Sequence, residues 1–371
     1  MGPTRAYIDH RNLIHNLTLI QKAVAPATVM GVVKAEAYGH GSIEAARTLL
    51  ANGVNYLGVA FPEEGIKLRK AGIDVPILVF GAHLPHFFPQ FLDYKLDITL
   101  TDVEQLEPLR ALCRKYGLRP RVQIKIDTGM GRVGFLFDRQ QDLIFKIIEE
   151  PAWQVVGVYS HLSSADEEDT TFTLQQIKEF SRIKSVIQQK YPELNALFHL
   201  ANSAAIMRFK ESYFDMVRPG VMLYGNPPSP AFNLQWPLKE VMAFKSKLTL
   251  IKKLDAHQPV SYNRRYYTPR PTYIGLVPAG YADGYNRKFT NRGQVLIRGK
   301  RYPVVGTVCM DQFLVDLGPR LNGVKVGDEV VLFGKQENAH IKIIEISEKL
   351  ETIPYEVTCW VSGRVPRIHL K

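Results

Sequence analysis

A TIM-type (β/α)8 barrel followed by an all-β domain is the fold class this sequence predicts, and three observations carry it. Eight short β-rich runs alternate with amphipathic helical stretches between residues 28 and 225. Beyond the run Asn226-Pro227-Pro228-Ser229-Pro230, helical stretches almost cease, and alternating strands broken by Gly, Pro and Asp-Gly turns continue to the C-terminus. The 371 residues also exceed one small domain, so two are expected, 1–235 and 236–371, with the proline-rich run as hinge.

The elements follow in order. A helix over 11–23 precedes the first strand. The barrel strands are expected at 28–33, 56–61, 76–81, 97–101, 121–127, 155–161, 197–201 and 216–224. Helices over 42–52, 62–71, 102–116, 138–149 and 169–190 show the three-to-four-residue apolar period of a helix packed on a sheet. A doubly wound sheet is the rival arrangement, and the count of eight strands decides for the barrel. In the second domain, strands are expected at 241–254, 272–277, 293–298, 302–308, 312–316 and 328–333, with a single helix around 340–350.

Composition narrows the function classes. Hydrophobic residues make up 46% and charged residues 22%, enough apolar material for a buried core. Cys113, Cys309 and Cys359 are far apart, odd in number and without metal-ligand spacing, which points to reduced thiols in the cytoplasm. No apolar run has the length of a signal peptide or membrane span. The net charge of +11 comes from scattered basic residues interleaved with acids, so it argues against nucleic acid and for attraction of small anions.

Active sites of such barrels lie at the C-terminal ends of the strands. Polar residues collect there. Lys34 ends the first strand and enters the small-residue loop Ala35-Glu36-Ala37-Tyr38-Gly39-His40-Gly41. A lysine so delivered is poorly hydrated and can be held partly neutral, as a Schiff-base lysine requires; the alternative is a surface lysine at a strand end. Arg132 follows the fifth strand, His161 ends the sixth, and Asn202 and Ser203 follow the seventh. Arg218 lies on the eighth, with Gly220 and the backbone N–H of Val221 beyond it. Ser203 reads either as a phosphate-contacting hydroxyl or as a helix N-cap. Residues 129–134 form a G-x-G-x-x-G pattern, which suits a dinucleotide loop or, more economically, a turn that carries Arg132. Lys125 and Asp127 share one strand face, where an ion pair would relieve a buried lysine.

The segments VVKAEAYGHG, DTGMGR, HLANSAA, VRPGVMLYG, GYADGY and VCMDQ occur in the order found in alanine racemases, and the chain resembles that family from Arg5 to Arg367. The resemblance implies a pyridoxal 5'-phosphate (PLP) enzyme that interconverts L- and D-alanine, supplies D-alanine for peptidoglycan and works as a head-to-tail homodimer. It implies that Lys34 bears the cofactor and is one catalytic base, with Tyr262 of the partner subunit as the other. It places Arg132 at the substrate carboxylate, with Met310, Asp311 and Tyr281 on the substrate side. His161 stands behind Tyr262; Arg218 faces the cofactor ring, with His199 behind it. Tyr38, Ser203, Gly220, Val221 and Tyr355 are implied cofactor contacts. Lys125 is implied to be a carbamate that orients Arg132. Two departures stand out: Glu36 replaces the usual Asn, and Asn263 replaces the Gly after Tyr262. Asn tolerates a left-handed backbone, so that turn is expected to survive. Alternatives are a broad-specificity or serine racemase on the same fold, or a PLP-binding protein without catalysis.

Overall fold

A computed structural model describes residues 2–229 and 236–371; Pro230 and the expected domain boundary at 235 fall outside the described residues. The strands introduced first are β1 (Arg5–Asp9), β2 (Thr28–Val32), β3 (Tyr56–Val59), β4 (Ile77–Val79), β5 (Asp97–Leu100), β6 (Arg121–Lys125), β7 (Gln154–Tyr159), β8 (Leu197–His199) and β9 (Met216–Val217). All-parallel pairing runs in the order β8-β7-β6-β5-β4-β3-β2-β9. The ends are drawn together where Asp215 N donates to Phe198 O at 3.0 Å and Arg218 N to Ala201 O at 3.0 Å. Residues of both faces are buried, as a barrel ringed by helices requires.

The helices form where the apolar period places them. In His10–Val24, Leu13, Leu17, Ile20 and Val24 bury one face, while the Asp9 side chain caps the start by accepting from Arg11 N. Leu106–Tyr116 stops at Gly117, whose φ of 62° is left-handed. The eighth strand is a correction to the sequence reading: only Met216–Val217 pairs, and residues 220–226 fold into successive turns instead of continuing to 224. Pro219 ends the ladder because it has no N–H to offer. The short helix Phe88–Asp93, too brief to show a period, was not expected from the sequence, while Ser203–Arg208 begins one residue earlier than an N-cap at Ser203 would place it.

The C-terminal region is built on a ten-stranded sheet. The expected strand 241–254 divides into Met242–Lys247 and Leu250–Leu254. The first pairs with Glu329–Gln336 and the second with Thr272–Val277, so the chain changes neighbours at the break. A second helix, Pro354–Cys359, follows Ile343–Leu350. Strand β1 belongs to this sheet, pairing antiparallel with Met242–Lys247 and parallel with Arg367–Leu370. Both chain ends thus brace the junction between barrel and sheet.

Candidate active site

The C-terminal rim of the barrel holds a cavity of about 410 Å³. Lys34, Lys125, Arg132, His161, Ser203, Arg218 and Gly220 line it, with Tyr38 and Tyr355. The strand-end reading therefore brought together residues from five strands. The lining carries four basic side chains and no carboxylate among the described residues. Such a cavity suits a small ligand with several negative charges.

Lys34 is half-buried at the end of β2. Burial, then the positive charge of Arg132, pulls its amine below the ordinary lysine value. The next four residues, Ala35 to Tyr38, all have φ between 51° and 55°, a left-handed turn without glycine. This conformation costs roughly 1–2 kcal/mol per residue, so neighbours must hold it. Gly39 completes the turn, with φ 86°; a Cβ there would meet Thr358 O at 2.3 Å. Arg367 Nε donates to Gly39 O at 3.0 Å, so the C-terminal region braces this loop from outside the barrel. Glu36 points outward to Lys67 at 2.5 Å and to Ser42, away from the cavity lining.

The loop after β6 presents Arg132. Asp127 Oδ1 accepts from the backbone N–H groups of Gly129, Met130 and Gly131 at 2.9, 2.8 and 3.2 Å, and Oδ2 from Arg132 at 3.2 Å. Burial works to raise the Asp127 carboxyl, and these donors together with the Lys125 charge bring it below its ordinary value. The G-x-G-x-x-G amides thus bind the chain's own carboxylate, which removes the dinucleotide reading. Asp127 is also not the partner of Lys125. Lys125 Nζ donates to Ile126 O at 2.8 Å and lies 5.4 Å from the Tyr159 ring centre. Burial and the Arg218 charge hold its amine at about 7.

Arg218, fully buried, donates through Nη1 to His199 Nδ1 at 2.8 Å. Through Nη2 it donates to Ser160 O, Leu200 O and His161 Nδ1 at 2.7, 3.0 and 3.1 Å. A guanidinium only donates, so both imidazoles accept at Nδ1 and are neutral with hydrogen on Nε2. Burial and the Arg218 charge accordingly push both histidines far below the ordinary value. The chain of bonds continues: His199 Nε2 donates to Gln123 Oε1 at 2.7 Å, and Gln123 Nε2 to Tyr56 Oη at 2.6 Å. Tyr56 then donates to Asp97, which Arg121 holds at 2.8 Å. Nothing in the motifs marked Gln123, Tyr56 or Asp97; their signal is a polar residue facing inward on a barrel strand.

At Ser203 the N-cap reading is corrected. Asn202 caps the short helix by accepting from Ala205 N at 3.0 Å, and Ser203 is its first residue. The Ser203 hydroxyl accepts from Gly220 N at 2.9 Å, so that donor is engaged within the chain. Gly220 must be glycine, because a Cβ would lie 2.2 Å from the Tyr38 hydroxyl. Val221 is buried beside this contact.

Tyr262, Tyr281, Met310 and Asp311 lie on the C-terminal sheet domain and do not line the Lys34 cavity. Tyr262 is 69% exposed, beside a separate recess shared with Ser261 and Cys309. Its backbone is fixed by Thr307, whose Oγ1 donates to Tyr262 O at 2.8 Å. Asn263 adopts φ 59°, the left-handed form expected for it. The GYADG and VCMDQ turns interlock, with Tyr281 N donating to Cys309 O and Ala282 N to Met310 O. Arg364 ties Asp311 to Asp283, each at 2.8 Å.

Residues 8–228 match the family described as alanine racemase, N-terminal domain, and residues 241–369 the one described as alanine racemase, C-terminal domain. Alanine racemase 2 of Caldanaerobacter subterraneus subsp. tengcongensis is 40% identical over 370 residues, 99% of this chain and 95% of that protein. The crystal structure of alanine racemase from E. faecalis superposes with a TM-score of 0.93 at 35% identity, covering 100% of this chain and 98% of that one. An alanine racemase structure from Bartonella henselae, described with covalently bound pyridoxal phosphate, gives 0.89 at 29% identity with 100% of both chains covered.

Proposed function

We infer the roles of individual residues from one premise: the chain belongs to the alanine racemase family and is an isomerase that interconverts L-alanine and D-alanine. The observation that supports the assignment best is the cavity itself, with two lysines of lowered basicity, Lys34 and Lys125, beside two arginines and no carboxylate in the described lining. PLP fits that donor set: its phosphate and phenolate oxygens need cations and hydroxyls, and the close Gly220–Tyr38 approach with Ser203 gives a small-residue cradle. When bound, PLP supplies a covalent link to the substrate amino group and an electron sink for the α-carbon.

Inversion removes a proton from one face of the α-carbon and returns one to the other, so two opposed bases serve better than one. Lys34 carries the cofactor at rest and, once displaced, its amine takes or returns the proton on one face. Its lowered basicity supplies the neutral amine this needs. Tyr262 of the partner subunit serves the opposite face, and its exposure in the single chain, outside the cavity lining, is what supports a shared site in a head-to-tail dimer. His161, neutral with hydrogen on Nε2, supplies a donor that stabilises the tyrosine oxygen when it has lost its proton.

Arg132 binds the substrate carboxylate, with Met310, Asp311 and Tyr281 of the partner subunit completing that side. Arg218, a donor only, meets the ring nitrogen with an N–H rather than giving it a proton, and His199 holds the guanidinium in place. Tyr38, Tyr355, Ser203, Gly220 and Val221 contact the cofactor phosphate end. Lys125, held near neutrality, reacts with carbon dioxide: its amine bonds to carbon, a proton leaves to solvent, and the resulting anion orients Arg132. The D-alanine formed feeds peptidoglycan synthesis. A chiral assay with alanine, serine and other amino acids tests the reading. Alanine as the preferred substrate supports it, and a yellow protein that racemises none of them contradicts it.

A further inference from the structure

We propose that Glu64 is a positioning residue for Lys34: its carboxylate grips two strand ends at once and holds the left-handed turn that aims the Lys34 amine into the cavity. The inference rests on the reading of Lys34 as the cofactor-bearing base. Glu64 Oε1 accepts from Ala35 N at 2.6 Å, the amide directly after Lys34. Its Oε2 accepts from Ala60 N at 2.7 Å and Phe61 N at 3.2 Å, at the end of β3. One side chain therefore ties the end of β2 to the end of β3.

The turn needs such a tie. Ala35, Glu36 and Ala37 have φ/ψ of 51/51°, 53/44° and 54/50°, where Cβ crowds the following carbonyl. Other contacts reach the turn further on: Lys67 holds Glu36, and Arg367 holds Gly39. The Glu64 bond is made at the Ala35 N–H, directly after Lys34, while the Ala35 carbonyl closes the turn by accepting from Gly39 N at 2.9 Å. The carboxylate is also the one chemical group of that length that can do this. It accepts on both oxygens, whereas glutamine would turn an NH2 donor toward an N–H on one side. Glu64 contributes charge as well as shape. Its negative charge raises the Lys34 pKa against burial and Arg132, which lower it.

Three variants separate these contributions in protein stripped of cofactor. Glu64→Gln breaks the clamp and removes the charge. Glu64→Asp is a methylene too short to span the gap but keeps the charge. Lys67→Met removes the neighbouring exposed pair on the same helix. The rate at which added PLP becomes fixed to the Lys34 peptide by borohydride is read by mass spectrometry. The pH profile of Lys34 acylation by a small anhydride is read likewise, and thermal midpoints are taken alongside. Capture should slow about tenfold or more in Glu64→Gln and Glu64→Asp, because misplacement of a reacting group carries penalties of that size. The acylation midpoint should move to lower pH in Glu64→Gln alone, and Lys67→Met should match wild type in both. Wild-type protein that fixes no PLP at Lys34 overturns the underlying reading. Equal capture rates and superimposable profiles in wild type and Glu64→Gln overturn the clamp, whether or not the variant melts earlier.

Discussion

The two bases sit in opposite surroundings. Lys34 is delivered by a buried parallel strand into a cavity of about 410 Å³, with the N–H of the next residue, Ala35, held by Glu64. Tyr262 stands 69% exposed on a turn of the C-terminal sheet region, its backbone held by Thr307. One chain thus encloses the proposed cofactor cavity around Lys34 and presents Tyr262, the proposed second base, outward. On the proposed reading a single chain binds the cofactor and a dimer turns the substrate over, so each region should fail in its own way when altered.

The largest loss is expected at Lys34. Lys34→Ala removes both the cofactor attachment and a base, and alanine racemisation should fall by about 10⁴-fold or more. The borohydride label should vanish with it. Tyr262→Phe should lower turnover by about 10²–10⁴-fold but leave cofactor attachment at Lys34 intact. Loss of attachment in Tyr262→Phe would erase the contrast between the two regions. Arg218→Glu replaces a donor-only neighbour by a carboxylate and should increase conversion of the cofactor to its amine form per turnover, measured by chromatography of the released cofactor.

Lys125 sharpens the picture of the barrel side through pH. Burial holds its amine at about 7 in the folded protein, while an unfolded lysine titrates near ~10.4. Between these values the unfolded chain binds more protons, so stability should rise with pH across that window and carry the full penalty below it. In carbon-dioxide-free buffer, Lys125→Met should flatten that rise, a difference on the order of a few kcal/mol by denaturant titration at neutral pH. In bicarbonate, labelled carbon dioxide should give a carbamate carbon resonance in wild type and none in Lys125→Met. The smallest effects belong to the two departures from the family pattern. Glu36→Asn breaks an ion pair whose partners are 45% and 51% exposed, and should cost under about 1 kcal/mol. Asn263→Gly keeps the left-handed turn and should change stability by about 0.5 kcal/mol or less.

Much of this arrangement was legible in the sequence because barrels place function by rule. Strand ends at Lys34, Arg132, His161 and Arg218 converge because the topology makes them, and apolar periodicity finds those strands. What escaped is non-periodic or depends on a choice between partners. Strand alternation offered Asp127 as one partner for Lys125, but four loop amides competed for its oxygens. Gln123 and Tyr56 carry no motif, and only the closed barrel brings them behind His199. Glu64 looked like one charge in a surface helix, because its reach back to Ala35 depends on a left-handed turn that no period announces. Glu36, the departure that stood out most in the sequence, turned out to face Lys67 on the outside.

The central claim is that each site joins Lys34 of one chain to Tyr262 of the other, and subunit mixing tests it directly. Lys34→Ala and Tyr262→Phe proteins, each nearly inactive alone, are unfolded together in equal amounts and refolded with PLP. Half of the dimers are then hybrids, and each hybrid has one site with both bases intact, so activity should return to about a quarter of wild type. A mixture no more active than its two parents, with hybrids shown to be present by mass, would contradict a shared site.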